Sequence, residues 1–277
     1  MYRIGWFSTG RGQGSLNLLQ AIMAAIKNGR VKADMGFVFC SREPGDAQGS
    51  DRYIKQVQDY GLPLVCFSSK RFKPDLRKQG GQDPAAMAQW RLEYDREVMQ
   101  RLGTPDVRIT VLAGYMLVLG PEMCRTYDMV NLHPASPSGP AGTWQEVIWQ
   151  LIGQRADESG NMMHLVIEEL DKGPPITYGT FPIRGGEFDV LWAALDEKLK
   201  QKTLQEIARD QAEQQPLFAK IRREGALREI PLVVQTVKAF ADGRIYLKDR
   251  RIIADGKPLE GPYCLNDDIE RELAQQA

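Results

Sequence analysis

Asn131 and His133 stand two residues apart in Met129–Pro137, written MVNLHPASP. His133 is one of only two histidines in the chain. In an extended strand, residues i and i+2 leave the same face, so the amide and the imidazole are presented together. Pro134 follows at once and ends the strand. A neutral amide donor beside an imidazole at a strand-to-loop edge suits two tasks, stabilising charge on a reacting oxygen and moving a proton. The plainer alternatives are a turn-forming asparagine and a hydrogen-bonded structural histidine.

A second stretch with chemical content is Thr9-Gly10-Arg11-Gly12-Gln13-Gly14-Ser15. It joins the apolar run Tyr2–Ser8 to an amphipathic stretch with Leu16, Leu19, Ile22, Met23 and Ile26 at helical spacing, stopped by Gly29. This is strand, glycine loop, helix. Glycines let backbone approach a ligand closely, and free N–H groups at a helix start favour an anion. The G-x-G-x-G pattern is weak by itself, and a tight strand–helix turn explains it equally simply. A dinucleotide site would want an acid at the end of the second strand, where Met35–Cys40 leads into Ser41-Arg42-Glu43.

The elements that must position these residues alternate. Asp51–Tyr60 reads as a helix, Leu62–Phe67 as a strand, Pro84–Leu102 as a long amphipathic helix and Val107–Leu112 as a strand. Pro121 opens a short helix, and Met129–Leu132 is the strand that carries Asn131. Such alternation is the signature of an α/β protein with a mostly parallel sheet covered by helices on both faces. Ligands in these sheets bind beyond the carboxyl ends of the strands, which is where both candidate stretches fall. Ser68–Asp83 carries Lys70, Arg71, Lys73, Arg77 and Lys78, and reads as a solvated basic loop or as a flap over an anionic substrate.

Ala135–Thr143 is a loop and Trp144–Ile152 a helix. Asn161–Ile167 is a strand bearing His164, which reads as structural. An acidic turn through Asp171 leads to the strand Tyr178–Ile183. From Phe188 the apolar spacing is helical with highly charged opposite faces, and Pro216 breaks the run in two. A further helix spans about Ile230–Phe240, Ile245–Leu247 and Arg251–Ile253 form a small C-terminal hairpin, and the last residues are polar and frayed. The expected organisation is an α/β core over 1–186, a charged helical insert over 187–228, and a helix, hairpin and tail of the same domain over 229–277.

Composition narrows the function. Lys+Arg 36 against Asp+Glu 36 gives zero net charge, so no global field draws nucleic acid or a membrane, and any phosphate binding must be local. Cys40, Cys66, Cys124 and Cys264 are scattered without a Cys-x-x-Cys, which argues against structural zinc and a disulfide scaffold and fits a reducing cytoplasm. The start MYRIGWFSTG reads as a strand and turn, not a signal peptide, and no apolar run approaches the roughly 18 residues of a membrane helix.

With its surroundings, the Asn-x-His strand end resembles the folate-dependent formyltransferases, most of all those that act on glycinamide ribonucleotide. The resemblance rests on GQGSLNLLQAIM at 12–23, VLAGYMLVL at 111–119, NLHP at 131–134 and GNMMHLVIEELDKGPPI at 160–176. FADGRI at 240–245 and DGKPLEGP at 255–262 extend it. It implies the Rossmann-like core of that family. It further implies that Asn131, His133 and Asp171 are catalytic, and that Met116, Leu117, Val118 and Leu119, with Ile167, Glu168, Glu169 and Leu170, enclose the pterin of 10-formyltetrahydrofolate. Gly12, Gln13, Gly14 and Ser15 would hold the phosphate of the acceptor.

The implied chemistry is attack of a primary amine on the formyl carbon. Asn131 and His133 would donate to the developing oxyanion, and Asp171 would hold the imidazole protonated and relay a proton. That step calls for no metal and no redox cofactor. The chain departs from the family after His133-Pro134, where Ala135-Ser136-Pro137-Ser138 stands in place of Ser-Leu-Leu-Pro, and in a longer glycine loop. The helical insert falls where an acid should meet the acceptor, with Glu224 and Glu229 as candidates, and is also the candidate site of a homodimer contact. Other readings are formylation of a different amine, formyltetrahydrofolate hydrolysis, or folate or nucleotide binding without catalysis. The hydrolases carry an additional N-terminal regulatory domain, so a first strand at residue 2 speaks against that reading.

Overall fold

The computed structural model describes residues 1–275. The first half runs β1 (Tyr2–Ser8), α1 (Gln13–Lys27), β2 (Ala33–Cys40), α2 (Gln48–Asp59), β3 (Leu64–Cys66), α3 (Pro74–Gln79), α4 (Pro84–Leu102), β4 (Ile109–Leu112), α5 (Pro121–Thr126) and β5 (Met129–His133). The second half runs α6 (Trp144–Gly153), β6 (Glu158–Leu165), β7 (Pro175–Pro182), α7 (Glu187–Leu199), α8 (Leu204–Gln211) and α9 (Pro216–Ala241). It closes with β8 (Ile245–Lys248), β9 (Arg251–Ala254), β10 (Lys257–Pro258), β11 (Tyr263–Cys264) and α10 (Asn266–Ala274). No helix among the described residues is long and apolar enough to cross a membrane.

The chain divides into two compact units. One comprises Met1–Asn131, His164–Pro174 and Val237–Pro258; the other comprises Leu132–Met163, Pro175–Thr236 and the residues from Leu259 onward. In the first unit the strands lie in the order β5-β4-β1-β2-β3, all parallel. Every step between neighbours is therefore a helical crossover, as the alternation of patterns predicts. Phe7, Phe37, Phe39 and Leu112 pack on Trp90, Tyr94 and Val98 of α4 and Met123 of α5. Ile4, Trp6 and Val38 point to the opposite face and are fully buried as well, so this sheet is covered on both sides. Gly5 makes room for the Phe37 ring: a Cβ there would lie 2.6 Å from Phe37 Cζ.

The second unit pairs β7 with β11 in parallel and closes a separate apolar cluster around Trp192, Phe218, Ile148, Leu151 and Phe181. Three expectations from the sequence are corrected by the structure. Ser68–Asp83 is not a bare loop but contains α3, started by Pro74 at its first position. The run after Phe188 breaks first at Thr203, whose side chain forms a capping box with Glu206 at the start of α8. Pro216 then begins α9, which continues unbroken through Pro231 to Ala241. An internal proline costs a helix about 3 kcal/mol. Here the helix bridges it because the buried positions Leu217, Phe218 and Ile221 run on into Leu232, Val233 and Val234.

The tail is the third correction. Residues 266–274 form α10, with Ile269 buried. Asn266 Oδ1 accepts from the Thr180 N–H at 2.8 Å, and the Leu265 N–H donates to the Tyr178 carbonyl at 2.9 Å. The last two positions of the expected 229–277 segment lie outside the described residues. The C-terminal hairpin forms as expected and gains a third strand, β10. Asp249 and Arg250 at its turn have φ of 50° and 59°, the left-handed pair that a two-residue hairpin turn requires.

The excursion between β6 and β7 closes where the Leu165 N–H donates to the Pro174 carbonyl at 2.9 Å. Gly173 makes that closure feasible, because a Cβ there would stand 1.6 Å from the Leu165 carbonyl oxygen. Backbone cannot yield as a side-chain tip can. Gly173→Ala should therefore destabilise the fold by about 2 kcal/mol or more, read as a lower urea midpoint at unchanged slope.

Candidate active site

The carboxyl ends of β1, β2 and β4 are fastened together at Thr9. Its N–H donates to the Gly114 carbonyl at 3.1 Å, and its hydroxyl accepts from the Met116 N–H at 2.9 Å and from Ser41 Oγ at 3.0 Å. Gly114, at φ 69°, lets the 113–119 loop descend onto α1; a Cβ there would lie 2.2 Å from Ser15 Oγ. One wall of a cavity of about 230 Å³ is built this way from Leu112 and Tyr115–Leu119. The facing wall is Val166, Ile167, Leu170 and Asp171, and Asn131 and His164 also line the space. Met116 and Leu170, each 62% exposed, stand at its rim. A narrow apolar slot with a few polar groups suits a flat heterocycle.

Of the residues expected to enclose a pterin, Met116, Leu117, Val118, Leu119, Ile167 and Leu170 line this cavity. Glu168 and Glu169 do not: the Glu168 carboxylate pairs with Arg125 of α5, and Glu169 lies 3.4 Å from Lys172. Arg250, from the hairpin turn, braces the same wall. Its guanidinium donates to the Val166 carbonyl at 2.8 Å and to the Cys124 carbonyl at 2.9 Å.

Asn131, His164 and Asp171 come together among the polar groups of the cavity. His164 Nε2 is 3.4 Å from Asn131 Nδ2 and 3.6 Å from Asp171 Oδ1, and Nδ1 is 3.1 Å from the Leu165 carbonyl. A carbonyl only accepts, so Nδ1 carries a proton. In the neutral ring Nε2 then accepts from the Asn131 amide and fixes its orientation; in the charged ring it donates toward Asp171. The sequence reads His164 as structural, in a supporting position; in the structure its ring meets the Asn131 amide and Asp171. Its 2% exposure and strand alternation mark a core residue. Only its place at the end of β6, next to the turn that carries Asp171, would have signalled more. Asp171 sits at φ 55°, a left-handed position that Asp and Asn tolerate and most residues do not. His133, at the end of β5, is buried, and leaves that strand on the same side as Asn131.

Gly12 is the N-cap of α1 and supplies no side-chain acceptor, so the first N–H groups of the helix have no side-chain cap. A Cβ at Gly12 or Gly14 would meet nothing within 4 Å, whereas Ser15 is buried against the Gly114 loop. Gln13 spends its amide on Asn17 Oδ1 at 2.8 Å. The turn thus offers open N–H donors with the helix dipole behind them, as an anion site needs. In the second unit both acid candidates are held in ion pairs along α9, Glu224 with Arg228 at 3.0 Å and Glu229 with Arg222.

A slot with a cluster of polar groups beyond the strand ends of a parallel sheet is the usual place for a small-molecule site in such folds. The formyl transferase family model matches residues 10–191, and the chain belongs to that family. Phosphoribosylglycinamide formyltransferase of Saccharomyces cerevisiae is 29% identical over 184 residues, 63% of this chain and 81% of that protein. The enzyme of that name from Haemophilus influenzae is 28% identical over 254 residues, 90% of this chain and 92% of the relative. Among solved structures, phosphoribosylglycinamide formyltransferase from Coxiella burnetii has a TM-score of 0.61 at 20% identity, covering 95% of this chain and 99% of its own. A formyltetrahydrofolate deformylase from Pseudomonas syringae has a TM-score of 0.57 at 17% identity, covering 91% of this chain and 65% of its own. Both structures share the fold.

Asp95 of α4 supports the slot from behind. It is buried, and its carboxylate accepts from the Gly120 N–H where the 113–119 loop turns into α5. Burial pushes this carboxyl up to about 7, against the opposing pull of the Gly120 N–H and Arg91. The folded state thus holds the proton to higher pH than the unfolded chain does. The corresponding stability is fully present below about pH 4 and is lost as pH rises through about 7. Asp95→Asn keeps an acceptor for Gly120 but cannot ionise. It should flatten the decline in melting temperature between pH 5 and 8 and exceed the parent's stability at pH 8 by roughly 1 kcal/mol or more.

Proposed function

We propose that this chain transfers the formyl group of 10-formyltetrahydrofolate to the primary amine of glycinamide ribonucleotide, a step of purine synthesis. The observation that carries the reading is the convergence of Asn131, His164 and Asp171 on an apolar slot, in a chain of the formyl transferase family. The names of its relatives, phosphoribosylglycinamide formyltransferases, supply the acceptor. The pterin lies between the Met116–Leu119 and Ile167–Leu170 segments. The acceptor's phosphate rests on the open turn Gly12–Ser15. Four free thiols support a reducing cytoplasm as the place of work.

In this mechanism the acceptor amine attacks the formyl carbon, a C–N bond forms, and the carbonyl electrons move onto oxygen. The Asn131 amide and the His133 imidazolium donate to that oxyanion, with His164 holding the Asn131 amide in place. Asp171 takes the proton that the amine sheds and passes it to the folate nitrogen as the second C–N bond breaks. The tetrahedral centre then collapses to formylated acceptor and tetrahydrofolate, with protons and bonds in balance.

Asp171→Asn leaves the left-handed turn intact while removing the charge, and His133→Ala removes the imidazole. Each should lower turnover at least about 100-fold, and Asp171→Asn should do so with little change in melting temperature. The assay is purified protein with 10-formyltetrahydrofolate and glycinamide ribonucleotide, following both tetrahydrofolate and the formylated product. Near-parental turnover in either variant would sink the catalytic assignment. Tetrahydrofolate with free formate in place of a formylated amine would make water the acceptor.

A further inference from the structure

Three arginines stand near the carboxyl ends of β2 and β3, and their charges are not balanced. Arg71 takes both neighbouring acids, Glu43 at 3.3 Å and Asp46 at 2.8 Å. Arg42 and Arg77 form no ion pair with the described residues; both are instead drawn to Ser69. Arg42 Nη1 donates to the Ser69 hydroxyl and, at 2.8 Å, to the Ser41 carbonyl. Arg77 Nη1 donates to the Ser69 carbonyl at 2.7 Å, and its guanidinium lies 5.0 Å over the Trp90 ring. Ser69 itself is fully buried. Burial, and then the charge of Arg42, make Arg77 easier to deprotonate than an ordinary arginine.

Two guanidiniums held beside one buried serine repel each other, and an anion shared between them would relieve that repulsion. Each has five N–H donors in a planar fork, and the protein bonds named above use Nη1 alone. The place is relevant as well. Ser41, whose carbonyl anchors Arg42, also donates its hydroxyl to Thr9, the residue that fastens the slot wall. Strand ends of a parallel sheet are where ligands bind.

We propose that Arg42 and Arg77, both anchored on Ser69, form an oxyanion-binding point that receives a phosphate or carboxylate of a substrate. Two planar forks suit an oxyanion with several acceptor oxygens better than they suit a lone carbonyl. The identity of the substrate rests on the formyl-transfer reading; the binding point does not.

The probe is inorganic phosphate at constant ionic strength. In the parent it should raise the melting temperature saturably. In Arg42→Gln and Arg77→Gln the phosphate midpoint should rise at least about tenfold. Arg77→Lys keeps the charge and guards against a folding defect; it should lose the fork and weaken phosphate by less. Lys78→Gln, an exposed neighbour with the same change in charge, should match the parent. A parental midpoint in both glutamine variants overturns the proposal. Steady-state kinetics identifies the source. A raised KM for the folate, absent with a donor lacking its glutamyl group, assigns a carboxylate; a raised KM for the acceptor makes the arginines a second contact to the phosphate held at Gly12–Ser15. If neither KM moves, the substrate role is overturned. Phosphate stabilisation without formyl transfer by the parent leaves the binding point standing and removes the formyl-transfer reading instead.

Discussion

The site depends on one buried side chain of ordinary chemistry. Thr9 has a single hydroxyl and a single N–H, and through them it holds Ser41, Gly114 and Met116 at once. Parallel strands end in loops that share no ladder bonds, so their relative placement beyond the sheet must come from contacts of this kind. In effect, β1 stops at a knot that fixes where the second strand turns, where the slot wall begins and where α1 can start. Gly114 is the complement of that knot, since only a residue without a side chain can lie over Ser15 there. The end of β2 and the start of the slot wall are thus positioned by adjacent bonds on the same residue.

The sheet of the first unit was legible because its strands are buried on both faces and its helices are amphipathic, so the change of period survives in the sequence. What was not legible shares a cause. α3 hides in a basic stretch because a six-residue helix has too few turns to show periodicity and is set by Pro74 and the packing of its neighbours. α9 was read as two helices, the second from about Ile230, since local patterns do not register the long buried stripe that makes it one helix through Pro231. α10 was missed because its polar surface outweighs the few residues, Ile269 foremost, that tie it down. In each case tertiary burial overrides a local signal.

Within the site, the apolar residues Met116–Leu119 were found through family motifs. By composition they look like core, and the structure places them at the cavity. Asp171 was legible as a turn residue, and its left-handed backbone explains why that turn tolerates an acid. Glu168 and Glu169 were placed around the pterin by the family resemblance; in the structure their side chains pair with Arg125 and Lys172. The contact of His164 with Asn131 was not legible in the sequence. The histidine's sequence context is that of a strand interior, and the Asn131 amide it orients lies 33 residues away in the chain.

The bracing of the slot by Arg250 also has a bearing on the order in which the enzyme is made. The bonds to Cys124 and Val166 span 126 and 84 residues. During synthesis the strands of the first unit and the loop with Asp171 emerge well before the hairpin does. Contacts that close such long loops form late, because chain entropy opposes them until the rest of the fold has shortened the path. A nascent chain can therefore hold its sheet and the polar side chains of the cavity while the wall at Val166 still lacks its brace. Competence to bind a flat ligand would then arrive as a discrete, late event, timed by a two-residue turn near the far end of the chain.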